Sequence, residues 1–174
     1  MKQEIKQRFL NIYNEEADSI FRYCLFRISN RENALDLTQD VFMKFWESLS
    51  GGTDIKNGRA FLFMIARNSV IDFYRKKKAL SLDSILEEDE DNIFMAVEGS
   101  RKEDLEFSAE AKLLLGKLTE LSPSDSQLIY LRFIEELKPG EIAEILKITP
   151  NAVSVRIIRA MERFREITGY NIEK

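Results

Sequence analysis

The chain contains no histidine and a single cysteine, Cys24, among its 174 residues. Without histidine, the most frequent general base and the common imidazole ligand for zinc or iron are both missing. One cysteine excludes an internal disulfide and cannot supply a thiolate metal cluster. An enzyme is disfavoured by these absences, and no cofactor is expected. Proline and glycine are scarce, at three and seven, which leaves long segments without the usual breakers. Uncharged runs stop far short of the roughly 18 apolar residues that a membrane-spanning helix needs. The stretch from Met1 to Lys6 does not lead into a secretory leader, because Arg8, Asn11 and Glu15 soon interrupt it. The expectation is a cytoplasmic chain with no membrane insertion.

What is present is a core-forming supply of 44% hydrophobic residues with 12 Phe, against 32% charged residues. The net charge of −4 argues against a nucleic-acid partner only until its distribution is considered. Between Asp83 and Glu106, ten acidic residues stand against Arg101 and Lys102, a local net of −8, so the rest of the chain carries +4. Elsewhere apolar residues recur at three- and four-residue spacing with no period-two alternation, which predicts an all-α fold. Two helical domains are expected, over residues 7–80 and 109–170, joined by an acidic linker over 81–108. That linker has the composition of a mobile segment, with Leu82, Ile85, Leu86 and Ile93-Phe94-Met95 as apolar anchors for local docking.

In the first domain, a helix from Asn33 to Leu49 is expected to place Leu35, Phe42, Trp46 and Leu49 on its core side. Asp36, Gln39, Asp40 and Glu47 run along another face. The loop from Ser50 to Gly58 stops this helix, its glycines permitting positive φ. The next helix, Arg59 to Lys78, is expected to bury Phe61, Leu62, Ile65, Ala66 and Ile71. It carries Arg59, Arg67, Arg75, Lys76, Lys77 and Lys78 against Asp72 alone, with Phe63, Phe73 and Tyr74 among them. Aromatics between cations suit stacking on unpaired bases with phosphate neutralisation. The same pattern also fits core aromatics beside a solvated basic helix end, where positive charge favours the dipole.

The second domain has clearer punctuation. Ser122-Pro123-Ser124-Asp125 supplies a hydroxyl N-cap, a proline at the first helical position and a carboxylate three residues on, opening a helix through about Ile134. Pro139 to Leu146 forms a short helix, Lys147-Ile148-Thr149 a tight turn, and Pro150 opens a last helix. Val153, Ile157, Met161 and Phe164 make its buried stripe. Asn151, Ser154, Val155, Ile158, Arg159 and Glu162 face away. Exposed small apolar side chains beside Arg156 and Arg159 suit a helix that reads thymine methyls, guanine or phosphate; they equally suit a helical hairpin that meets a protein.

Taken together the two domains resemble the sigma-70 family, in its short extracytoplasmic-function branch. Ala34 to Trp46 is similar to the family's region 2.2, Phe61 to Lys76 resembles regions 2.3 and 2.4, and Glu141 to Ala160 resembles region 4.2. The resemblance implies a promoter-recognition protein that binds core RNA polymerase and promoter DNA, with an anti-sigma factor as a further partner and no catalytic site. It implies a polymerase-binding role for Asp36, Gln39, Asp40, Phe42 and Glu47. Capture of unpaired minus-ten bases falls on Asn68, Asp72, Tyr74, Arg75 and Lys76, with the loop from Thr53 to Asn57 as a pocket lip. Reading of the minus-thirty-five duplex falls on Asn151, Ser154, Val155, Arg156 and Arg159. Lys147 departs from the glycine usual in the family's turn, at a position that tends to need a left-handed backbone.

Two other readings compete. Asp36 and Asp40, one helical turn apart, resemble a carboxylate pair for a hard cation such as Mg²⁺, but no second acidic pair stands at matching spacing in a helix. A conventional helix-turn-helix regulator would use the second domain for DNA and the first for a ligand or dimer partner.

Overall fold

Among the described residues, 2–80 and 108–169, helical periodicity becomes seven α-helices in this computed structural model, with no strand. Most of the predicted linker, with its apolar anchors, lies outside the described residues. The described residues divide into an N-terminal and a C-terminal unit.

In the N-terminal unit α1 (Lys2–Ile28), α2 (Arg31–Ser50) and α3 (Gly58–Leu80) each pack on the other two. Ile20, Tyr23 and Cys24 of α1, Val41 and Phe45 of α2, and Leu62, Phe63 and Val70 of α3 are sealed from solvent. Burial pushes the Cys24 thiol up to about 12, well above its ordinary value, with the side-chain interaction with Thr38 opposing the shift. Asn30 caps α2 by accepting from the Asn33 N–H at 2.9 Å, and Asn57 caps α3 by accepting from Ala60 at 3.0 Å. Each such cap contributes about 1 kcal/mol. In the loop between them Gly52, not Gly51, supplies the positive φ, at 80°. Gly58 has a different reason to be glycine: an added Cβ would meet Ile12 Cδ1 at 2.6 Å.

The core of α2 differs from the expectation. Leu35 and Trp46 are exposed, and the buried positions are Ala34, Leu37, Val41, Phe42, Phe45 and Leu49. Because α1 and α3 both close on α2, the buried stripe is set by where two neighbours meet it, and Leu35 and Trp46 fall on its flanks. On α3, Leu62, Ile65, Ala66 and Ile71 are buried as expected, Phe61 is half-buried, and Phe63 and Tyr74 join the core.

The C-terminal unit holds α4 (Ala109–Leu118), α5 (Pro123–Ile129), α6 (Pro139–Leu146) and α7 (Pro150–Thr168). The expected helix through Ile134 is in fact α5 continued by a wider π-helical turn, Tyr130–Ile134. Glu135 N donates to the Tyr130 carbonyl at 3.1 Å, and the wider winding keeps Tyr130 and Leu131 both buried. The Ser122 hydroxyl accepts from Asp125 N at 3.2 Å. Arg163 of α7 pairs with Asp125 across the unit, so one residue serves both the first turn of α5 and the seat of α7. Ile142 and Ile145 of α6 and Val153, Ile157 and Ala160 of α7 are buried, where α6 and α7 pack. Met161 and Phe164, expected in that stripe, are half-buried.

The turn between α6 and α7 is closed by backbone. Lys147 sits at φ 55°, ψ 43°, in the left-handed region, and Ile148 N donates to the Ala143 carbonyl at 3.1 Å, a Schellman-type end to α6. An L-residue pays for this conformation where glycine does not. Lys147→Gly should therefore stabilise the protein by about 0.5 to 1 kcal/mol, read as a raised urea midpoint at unchanged m-value.

Candidate nucleic-acid interface

The outward face of α7 is formed by default, as the side left over once Val153, Ile157 and Ala160 are buried. Thr149 caps the helix by accepting from Ala152 N at 3.2 Å, and Pro150 fixes its first turn. Asn151, Val155, Arg156, Ile158, Arg159 and Glu162 are exposed. Ser154 is half-buried, and its hydroxyl donates to the Pro150 carbonyl at 3.1 Å, leaving it an oxygen lone pair rather than a free donor. Ile158, at 61% exposure, is the most open apolar side chain of α7. It lies three residues beyond Val155 on the same surface. Neither Arg156 nor Arg159 has an ion-pair partner among the described residues, so their charge is available to a phosphate.

On α3 the expected residues separate. Asn68, Asp72 and Arg75 are exposed at spacings that place them along one face, and Lys76 is exposed beside them. Arg75 approaches Asp72 at 3.9 Å with both side chains largely in solvent, a contact worth little by itself. Tyr74 does not belong to this surface. It is 9% exposed, its hydroxyl donates to the Arg27 carbonyl at 2.7 Å, and its ring meets Phe73 edge-on at 5.5 Å. With Phe63 also sealed, two of the aromatics set among the cations are core, and only Phe73 is half-exposed. In the loop from Thr53 to Asn57, Thr53, Asp54 and Lys56 are exposed, while Ile55 is buried and its carbonyl accepts from Arg8.

On α2, Asp36, Gln39, Asp40 and Glu47 are exposed. Phe42 is not: it is 4% exposed, edge-on to Tyr13 at 4.7 Å and to Phe9 at 6.3 Å. The apolar part of this surface is instead Leu35, Trp46 and above all Met43, which is 61% exposed. Met43 lies three residues after Asp40 and four before Glu47, inside the acidic line. That position was the available sign in the sequence, and it went unused because Met43 fits neither the predicted core side nor an acidic face. No helix among the described residues is long and apolar enough to cross a membrane.

Comparison with known proteins gives these surfaces a family. Residues 12–80 match sigma-70 region 2 and residues 111–164 match sigma-70 region 4. The chain is 29% identical to SigW and 28% identical to SigV, both of Bacillus subtilis strain 168, covering 95% of itself and 95% of the former, and 94% of itself and 93% of the latter. It is 26% identical to BldN of Streptomyces coelicolor over 88% of itself, but spans only 57% of that protein's length. Among solved structures, the sigma factor RpoE in complex with the anti-sigma factor NepR from Bartonella quintana shares the fold at TM-score 0.70 and 21% identity, covering 97% of this chain and 99% of that one. An all-helical chain with both regions in this order is a transcription initiation factor, not an enzyme. It belongs to the sigma-70 family, in the extracytoplasmic-function branch.

The Tyr74 hydroxyl ties α3 to the end of α1 at the Arg27 carbonyl, and removing it takes away a buried hydrogen bond. Tyr74→Phe should cost about 1 to 2 kcal/mol in urea unfolding while keeping the ring in place behind Phe73.

Proposed function

We propose that this chain binds core RNA polymerase and directs initiation at specific promoters, reading the minus-ten element as single strand and the minus-thirty-five element as duplex. Residues 7–80 take the polymerase and the minus-ten element, and residues 109–170 the minus-thirty-five element. The observation that carries the reading is the outer face of α7, where exposed Asn151, Val155, Ile158 and Arg159 follow one another over a capped helix. Base edges and thymine methyls in a major groove are met by such a mixture. Arg156, on the flank, supplies a phosphate contact. Ser154 acts as an acceptor close to the helix start.

On α3, Asn68, Asp72 and Arg75 meet unpaired bases, and Arg75 and Lys76 neutralise phosphates. Opening and extruding a base costs a few kcal/mol, which contacts to exposed base edges offset. Tyr74 is a positioning residue in this scheme, holding α3 against α1 and backing Phe73. Polymerase docks on α2 through Leu35, Met43 and Trp46, rimmed by Asp36, Gln39, Asp40 and Glu47, with Phe42 shaping the surface from beneath. Apolar contacts of this kind carry affinity, and the carboxylates set encounter rate and orientation. The protein works in the cytoplasm, and an anti-sigma factor is a further partner, as in the similar complexes of RpoE with NepR and CnrH with the cytosolic domain of CnrY.

Three measurements test the scheme. Met43→Ser should weaken binding to core polymerase at all salt concentrations, whereas Asp40→Lys should weaken it chiefly at low salt, since exposed charges are screened; equal binding of both variants and wild type in a salt titration removes α2 as the docking face. Holoenzymes selecting from randomised minus-thirty-five elements should change their preferred sequence on substitution of Val155 or Ile158, by about 1 to 3 kcal/mol per mismatched position. Arg156→Ala should lower affinity nearly uniformly and reduce the salt slope by about one. An unchanged sequence preference in the Val155 and Ile158 variants reassigns α7 to a protein contact.

A further inference from the structure

Arg8 lies in the second turn of α1, four residues ahead of the span that matches sigma-70 region 2. It is tied to that span all the same, because its guanidinium donates to the Ile55 carbonyl in the loop between α2 and α3. Ile12 and Glu16 follow at four-residue intervals, which sets all three on one face of the helix. Ile12 fills the space over Gly58, where an added Cβ would stand 2.6 Å from its Cδ1. The Glu16 carboxylate, largely shielded from water, accepts from Arg59 Nε at 3.0 Å. A single stripe of α1 therefore grips the loop and the first turn of α3 at three successive places, Ile55, Gly58 and Arg59.

We infer that Arg8 is a positioning residue for minus-ten recognition, which fixes the loop from Thr53 to Asn57 in the shape that receives an extruded base. The inference rests on the reading of that loop as the lip of the base pocket. The two ends of the loop are set locally: Thr53 N donates to the Ser48 carbonyl at 3.0 Å, and Asn57 caps α3. Its middle is set from a distance, by burial of the Ile55 side chain and by the Arg8 bond to the carbonyl of the same residue. With Ile55 buried, Thr53, Asp54 and Lys56 are left open to solvent, and these are the side chains that a base meets. A lip held in this way loses less backbone freedom when a base arrives than a loose one does. Arg8 acts on the loop's backbone, so its effect on base choice comes through the placing of those side chains.

The test uses the full chain, free and as holoenzyme with core polymerase. Arg8→Met keeps an aliphatic stem and removes the donors, whereas Arg8→Lys restores a donor. In free Arg8→Met, tryptic cleavage after Lys56, followed by mass spectrometry, should be about fivefold faster, as for loss of one hydrogen bond that keeps the loop closed. The Arg8→Met holoenzyme should bind a forked minus-ten probe about fivefold more weakly and discriminate less among bases at the extruded position, with its affinity for core polymerase unchanged. Arg8→Lys should recover both the slow cleavage and the base preference. Asp54→Ala tests the lip itself, since it alters an outward side chain and leaves the Arg8 bond in place. Unchanged base preference in Arg8→Met overturns the inference: the lip reading survives if Asp54→Ala still shifts the preference, and fails with it if neither variant does. Weaker probe binding with a salt slope reduced by about one, at wild-type cleavage and base preference, also overturns it and assigns Arg8 to a phosphate.

Discussion

Rotation of each helix about its own axis is the constraint on which the surfaces of this protein depend. A helix that buries one stripe against two neighbours has no freedom to turn, so the side chains on the opposite face are aimed without any contact of their own. Val41 and Phe45 aim Asp36, Asp40 and Met43 outward from α2. Val153, Ile157 and Ala160 do the same for Asn151, Val155 and Ile158 on α7. On α3 the rotation is reinforced by Tyr74, whose hydroxyl reaches the Arg27 carbonyl. The aromatic that looked suited to meet a base is one of the residues that determine where Asn68 and Arg75 point.

Polar contacts finish what packing begins, at places where helices start, stop or cross. Arg59 meets Glu16 at 3.0 Å, joining α3 to α1, and the Lys44 ammonium donates to Ser69 at 3.0 Å, joining α2 to α3. In the C-terminal unit Asp125 belongs to the capped first turn of α5 and also pairs with Arg163. In the two arginine–carboxylate pairs the carboxylate, Glu16 or Asp125, is largely shielded from water, where an ion pair is worth more than on the open surface. They also remove those charges from the pool available to DNA. Arg156 and Arg159 remain outside any such pair among the described residues.

Local chemistry made much of the fold legible. Ser122, Pro123 and Asp125 announced the start of α5, Pro139 and Pro150 the starts of α6 and α7, and the short interval between the last two left room only for a tight turn. The left-handed backbone at Lys147 was implied by the family resemblance, which has glycine at that place in the turn. Caps and turns are decided within a few residues, so a sequence carries them whole. The outward face of α7 was readable for a related reason, because a single helix presents a strict period and its polar side was long enough to see.

What the sequence by itself determined is therefore the all-helical class, the helix starts, the hinge between α6 and α7, and the acidic stretch that separates two helical blocks. Tertiary structure decided the edges of each buried stripe and which further apolar side chains joined it. Leu35, Trp46 and Met43 carry the same hydrophobicity as their buried neighbours on α2, and Phe42, Phe63 and Tyr74 could as well have faced solvent. Periodicity gives the direction of a stripe but not its width or exact bearing, which depend on where α1 and α3 close against α2 and against each other. The grip of α1 on the loop before α3 belongs to the same category. It is made by Arg8, Ile12 and Glu16 with Ile55, Gly58 and Arg59, residues far apart in sequence, and no single segment contains the information that they meet.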